Sequence, residues 1–85
     1  MACEILIKAS AEKEIRRLPR NVREWVNSVI LALREEPRPL SVRKLRGEEG
    51  WRIRVSDYRV VYRIEDGLRK VTVYRVRHRR DIYRF

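Results

Sequence analysis

Cysteine and histidine occur once each in this 85-residue chain, glycine and proline three times each. A lone cysteine excludes a disulfide framework and the secreted folds built on one. Cys3 reads instead as a small apolar strand residue. One Cys and one His cannot make a zinc site, and no paired framework exists for a Ser or Cys nucleophilic triad. Gly47, Gly50 and Gly67 are too scattered to form a glycine-rich phosphate loop. No apolar run approaches the ~20 residues that span a bilayer, and no signal peptide is visible. The expectation is a soluble cytoplasmic chain with no membrane partner, no metal and no cofactor. Repeats, linkers and low-complexity tracts are also missing, so residues 1–85 read as one domain.

What the chain has in excess is arginine. Charged residues make up 40% of the sequence and the net charge is +10, with a pI near 10.8. Residues 1–36 are nearly balanced, with 7 basic and 6 acidic groups, whereas residues 51–85 carry 11 and 4. A charge this concentrated implies a polyanionic partner, either nucleic acid or an acidic protein segment.

Alternation of apolar and basic residues is clearest from Trp51 to Ile64, which reads as two strands joined by a tight turn at Ser56-Asp57. With a two-residue loop, Val55 pairs with Tyr58, Arg54 with Arg59, Ile53 with Val60, Arg52 with Val61 and Trp51 with Tyr62. Cross-strand partners share a face. One face therefore collects Trp51, Ile53, Val55, Tyr58, Val60 and Tyr62, half of a core. The other collects Arg52, Arg54, Arg59 and Arg63. Guanidinium groups opposite one another should repel unless an anion lies between them.

The remaining elements follow from period and punctuation. Residues 3–8 form a short strand with Cys3, Ile5 and Ile7 on one face and Leu6 on the other, as expected of a strand covered on both sides. Ser10 offers a helix N-cap, Ala11, Ile15 and Leu18 an apolar stripe, and Pro19 a stop. Asn21 and Glu24 have capping-box spacing, and Val22, Trp25, Val26, Val29, Ile30 and Leu33 follow at helical intervals up to Pro37 and Pro39. The helices should form an α-hairpin laid against the sheet, with Trp25 and Trp51 in the core. Residues 37–50 read as loop. Asp66-Gly67 signals a type I′ turn, which pairs Val60 with Val73 and Tyr62 with Val71. That register puts Tyr74 beside Arg59 but Arg75 and Arg77 on the apolar side, so a bulge or sheet edge is expected near Tyr74–Arg77.

The residues suited to chemistry are Arg52, Arg54, Arg59, Arg77 and Arg79, with His78 and several tyrosines nearby. Guanidinium groups bind phosphate bidentately and stabilise the added charge of a pentacoordinate transition state, and tyrosine stacks on unpaired bases. Lys44, Arg46, Tyr74, Arg79 and Arg80 are candidates for RNA contacts. A carboxylate such as Glu49 beside the patch could act as a base. A solvated surface with no role beyond solubility is the plain alternative for such a face.

The runs Lys44-Leu45-Arg46-Gly47, Trp51-Arg52-Ile53-Arg54, Asp57-Tyr58-Arg59-Val60-Val61-Tyr62 and His78-Arg79-Arg80-Asp81-Ile82-Tyr83 together resemble the RelE toxins of the RelE/ParE superfamily. Ser10 through Pro19 is similar too, so the resemblance spans essentially the whole chain. It implies an α+β, β-α-α-β-β-β fold with an N-terminal helical hairpin on a small antiparallel-rich sheet. It also implies a RelB-like antitoxin partner, and metal-independent cleavage of mRNA in the ribosomal A site. In that chemistry the 2′-hydroxyl attacks the adjacent phosphate, leaving a 2′,3′-cyclic phosphate and a 5′-hydroxyl. By position, Arg52 and Arg54 match two basic site residues that are often lysine. Arg59 matches the arginine of the Tyr-Arg-Val/Leu-Val-Tyr strand, Arg77 an arginine ending the last strand, and Tyr83 a C-terminal tyrosine. His78 occupies a stretch where relatives keep an acid–base histidine. Arginine stays protonated, so a side-chain base must come from His78, Tyr83 or Glu49, or else the reaction runs on charge and geometry. Two other readings share the fold or the charge: a ParE-like gyrase inhibitor, and a non-catalytic RNA-binding or corepressor module.

Overall fold

Alternation and helical spacing build what they should: two helices laid on one face of a twisted five-stranded sheet. The computed structural model describes residues 2–39, 42–45 and 50–78. The elements run β1 (Glu4–Ile7), α1 (Ala9–Arg16), α2 (Arg20–Ala32), β2 (Arg43–Lys44), β3 (Trp51–Val55), β4 (Tyr58–Glu65) and β5 (Lys70–His78). The strand order is β1-β5-β4-β3-β2, with β1 parallel to β5 and the other pairs antiparallel. The α+β, helical-hairpin-on-sheet expectation holds. The two-residue β2, inside a stretch expected to be loop, adds a fifth strand.

The core is the contact between the helix stripes and the inward strand residues. Ala11, Ile15 and Leu18 from the first helical segment and Val26, Ile30 and Leu33 from the second meet Ile53, Val55, Val60, Tyr62, Val71, Val73 and Val76. The buried Tyr62 hydroxyl donates to the Pro37 carbonyl at 2.7 Å, which ties the end of the helical hairpin to the centre of the sheet. Burial pushes that hydroxyl's pKa above the ordinary tyrosine range.

Several local expectations are corrected. Trp25 is 54% exposed, outside the core its helical spacing suggested. Trp51 is half-buried, its ring lying under the Arg38 guanidinium at 5.3 Å. Lys8, not Ser10, caps α1, and Pro19 caps α2 in place of Asn21. Glu24 pairs with Arg20 at 3.3 Å rather than closing a capping box. α2 ends at Ala32, ahead of the prolines, with Leu33 as its C-cap. β1 is an edge strand covered on one side only, and Leu6 on its far face is 42% exposed.

The β3–β4 register is the expected one, from Trp51 with Tyr62 to Val55 with Tyr58. Ser56 at the turn takes φ 57. The β4–β5 register is not. A 3₁₀ turn at Asp66–Leu68, followed by Arg69 at φ 51, replaces the two-residue turn. Tyr62 consequently pairs with Val73 and Ile64 with Val71, a slide of two residues. An even slide leaves the β5 side chains from Val71 to Val73 on their expected faces. The turn is anchored by Arg38, whose two Nη atoms donate to Asp66 Oδ1 and Oδ2 at 3.0 and 2.9 Å.

No helix among the described residues is long and apolar enough to cross a membrane.

Asp66 provides a pH test. Its hydrogen bond from Arg38 holds its carboxyl below the usual carboxylate range. A depressed folded-state pKa means that the pair stabilises the fold above the unfolded value, about 3.9, and that this is lost as pH falls through the folded value. Asp66→Asn should therefore lower the melting temperature slightly at neutral pH. The difference from wild type should vanish in melts taken well below about pH 4.

Candidate functional site: an arginine row on the open face

The helices cover one face of the sheet, so the alternation that buries Val60 leaves Arg59 pointing the other way. Arg54 and Arg59 are direct partners across β3 and β4, as expected, and Arg77 completes the row as the partner of Arg59 on β5. A bulge makes this third member possible. Between Tyr62 and Val61 the partner on β5 jumps from Val73 to Arg75, leaving Tyr74 as the extra residue. Beyond it Val76 returns to the core and Arg77 to the arginine face. Of the bulge or sheet edge expected near Tyr74–Arg77, the structure has the bulge, which also settles where Arg77 points.

Partners across an antiparallel pair lie roughly 5 Å apart at Cβ, so three arginine side chains leave the sheet side by side. The outer two are tethered. Arg54 Nε donates to the Ser56 carbonyl at 3.0 Å. Arg77 Nε donates to Glu14 Oε2 at 2.8 Å. Arg59, between them, is half-buried, and its Nη1 is inaccessible and without a hydrogen-bond partner among the described residues. A buried charged donor left unpaired is destabilising by more than a neutral one, and an anionic oxygen is the group that would satisfy it. Arg52 lies one step along the same face, paired with Arg43 on β2 and Val61 on β4.

The other candidates divide by place. His78 pairs with Tyr58 rather than with the arginine row, and the two rings meet edge to face with centroids 5.4 Å apart. Alternation puts both on the helix side, opposite Arg59. Tyr74 stays on the open face, but Arg63, not Arg59, stacks on its ring at 4.8 Å, and Lys8 Nζ lies 5.6 Å from it. Tyr74 and Lys44 both line a cavity of about 500 Å³ at one end of the sheet, with Arg38, Trp51, Arg63 and Asp66. Lys44 Nζ lies 6.0 Å from the Trp51 ring. Arg46, Glu49, Arg79, Arg80 and Tyr83 lie outside the described residues.

Sequence reasoning missed Glu14 and Arg43. Arg43 was hidden because a two-residue strand carries no periodic signal. Glu14 is adjacent to an apolar stripe, and no local pattern connects it to a strand 62 residues further on. No grouping of His, Cys, Asp and Glu among the described residues could hold a metal ion.

Comparison with known proteins places this two-helix, five-strand arrangement. Residues 5–83 match the family of the ParE toxin of type II toxin–antitoxin systems. The chain is 35% identical to the Escherichia coli RelBE toxin–antitoxin complex structure, covering 88% of this chain and 94% of that one with a TM-score of 0.77. The RelBE2 toxin–antitoxin complex of Mycobacterium tuberculosis is similar at 26% identity, covering 92% and 99% of the two chains with a TM-score of 0.82. The archaeal RelE–RelB complex of Pyrococcus horikoshii is 25% identical, covering 93% and 97%, with a TM-score of 0.83. No curated protein sequence matches the chain. The chain belongs to the toxins of type II toxin–antitoxin systems, in the RelE/ParE superfamily.

The unpaired guanidinium makes a prediction about stability alone. Arg59→Met keeps the aliphatic stem and removes the buried charge together with its repulsion from Arg54 and Arg77. The variant should be as stable as wild type or more so, by up to about 1–3 kcal/mol in urea unfolding at low phosphate. A large destabilisation would mean that Arg59 holds the fold together.

Proposed function

We propose that this chain is a RelE-type endoribonuclease that cleaves mRNA in the ribosomal A site in the cytoplasm, held in check by a cognate RelB-like antitoxin. The single observation that carries this reading is the row Arg54–Arg59–Arg77 on the open face of the sheet, with a half-buried Arg59 at its centre. A phosphodiester is the RNA group that suits three arginines in adjacent register on one face. Arg59 holds the scissile phosphate, and Arg54 and Arg77 flank it. The 2′-oxygen attacks the adjacent phosphorus and the bond to the 5′-oxygen breaks. The 2′-hydroxyl loses its proton and the departing 5′-oxygen gains one. The pentacoordinate transition state carries more negative charge than the substrate, and fixed guanidinium groups stabilise that difference.

Arginine at positions 52 and 54 removes the tunable lysine, and His78 sits across the sheet from the row. The reaction is therefore driven mainly by charge and alignment, with Tyr83 and Glu49 the remaining side chains for proton movement and Tyr83 also suited to stacking. The end cavity, where Trp51 and Tyr74 each carry stacked cations, suits unpaired bases flanking the cut, with Lys44 as a backbone contact. Arg46, Arg79 and Arg80 extend the RNA contact.

Arg59→Ala should lower single-turnover cleavage on programmed ribosomes by roughly 10²–10³-fold, the scale for losing one oxyanion donor. Arg59→Lys should recover only part, because a point charge does not replace the bidentate fork. Primer extension on mRNA after induction in translating cells should show discrete cuts within codons. DNA breaks without RNA cuts would point instead to the gyrase inhibition that the ParE name suggests, and wild-type rates for Arg59→Ala would leave a non-catalytic binding module.

Affinity for single-stranded RNA should fall linearly in log–log terms as salt rises. Removing one phosphate-contacting arginine should reduce that slope by about 0.7, measured by fluorescence anisotropy across a salt series. A salt-independent affinity would remove the arginine face from the RNA interface.

A further inference from the structure

The edge of β5 is shared between a strand and a helix. β1 covers it only from Lys70 to Val73, after which the chain turns away into α1. Two α1 side chains one helical turn apart take over the exposed backbone groups. The Ser10 hydroxyl donates to the Tyr74 carbonyl at 3.1 Å, and the Val76 N–H donates to Glu14 Oε1 at 2.9 Å. Glu14 is the more heavily committed of the two. Its second oxygen, Oε2, accepts from Arg77 Nε at 2.8 Å and lies 3.8 Å from Arg75 Nη1. Its side chain is only 19% exposed, so this ion pair is largely shielded from solvent.

We propose that Glu14 is a positioning residue for the arginine site. It fixes the plane of the Arg77 guanidinium through Nε and sets its charge beside Arg59. This rests on the RNA-cleavage reading above. The chemistry is that of an outer carboxylate orienting a group that meets the substrate. A guanidinium held through Nε has one rotational choice removed, so Arg77 meets the phosphate pre-oriented and loses less freedom in the transition state. The carboxylate also offsets the repulsion between Arg77 and Arg59 before RNA binds. Because Oε1 is occupied by the strand itself, Glu14 cannot follow Arg77 if the arginine swings away. The anchor is rigid because the same carboxylate is part of the sheet edge.

The test is a pair of double-mutant comparisons of single-turnover cleavage at saturating ribosome concentration, with affinity measured separately. Glu14→Gln keeps the side chain's shape and an oxygen for the Val76 N–H, but removes the charge from Arg77. It should slow cleavage by about tenfold or more with affinity nearly unchanged. In an Arg77→Ala background the same substitution should have no further effect. Ser10→Ala removes the other half of the helix–strand seam and should cleave at the wild-type rate. Equal losses from Glu14→Gln with and without Arg77 would overturn the positioning role and leave a structural one. So would a silent Glu14→Gln in a protein whose cleavage depends on Arg77. Absence of cleavage by the wild type would instead refute the ribonuclease reading, and the positioning role with it. A change in the chemical shift and exchange rate of the Arg77 Nε–H on Glu14→Gln, in a variant that still melts cooperatively, checks the contact independently of activity.

Discussion

Strict alternation along β5 would send Val73, Arg75 and Arg77 to the same face. No sheet with one buried side can hold two arginines there, because burying an unpaired charge is far more unfavourable than the neighbouring valines are favourable. The extra residue at Tyr74 resolves the conflict. It keeps Val73 and Val76 in the core and returns Arg77 to the side of Arg54 and Arg59. The core and the site therefore depend on one irregularity. A β5 without the bulge would lose either Val76 from the core or Arg77 from the row.

The open face stores the opposite kind of tension. The apolar side of the sheet is closed by two helices, and Tyr62 is satisfied down to its hydroxyl. The other side gathers like charges in adjacent register and leaves one guanidinium nitrogen inaccessible and unbonded. Both outer arginines of the row are held through Nε, one by a turn carbonyl and one by a helix carboxylate. Such an arrangement is poor for stability and well suited to holding an anion. It is the pattern expected where a binding function is bought at some expense in folding free energy.

α1 has two roles in this scheme. Through Ala11 and Ile15 it contributes to the core, and through Ser10 and Glu14 it completes a sheet edge that β1 is too short to cover. Edge strands are otherwise open to pairing with other chains. A helix that supplies one hydroxyl and one carboxylate at i and i+4 closes this stretch without adding a strand. It also brings a negative charge to the rim of a very basic face.

The amino-acid sequence by itself determined the parts of this protein that follow from period. The 3.6-residue stripes of the helices, the alternation from Trp51 to Ile64 and the two-residue turn at Ser56-Asp57 specify which residues face inward and which arginines face out. Arg54 opposite Arg59 was legible for that reason, since a hairpin's register depends only on its own turn. Only the tertiary structure decided what depends on distant partners. Asp66 is bound by Arg38, and its turn is a 3₁₀ turn rather than the type I′ turn that Asp-Gly suggests, which moved the β4–β5 register by two. The bulge aims His78 at Tyr58 and Arg77 at the row, although the two are adjacent in the chain. Trp25 has a core residue's spacing and still lies exposed. Glu14 reaches Arg77 across 63 residues. Contacts of that length leave no period in a sequence, because their geometry exists only once the helix is seated against the sheet.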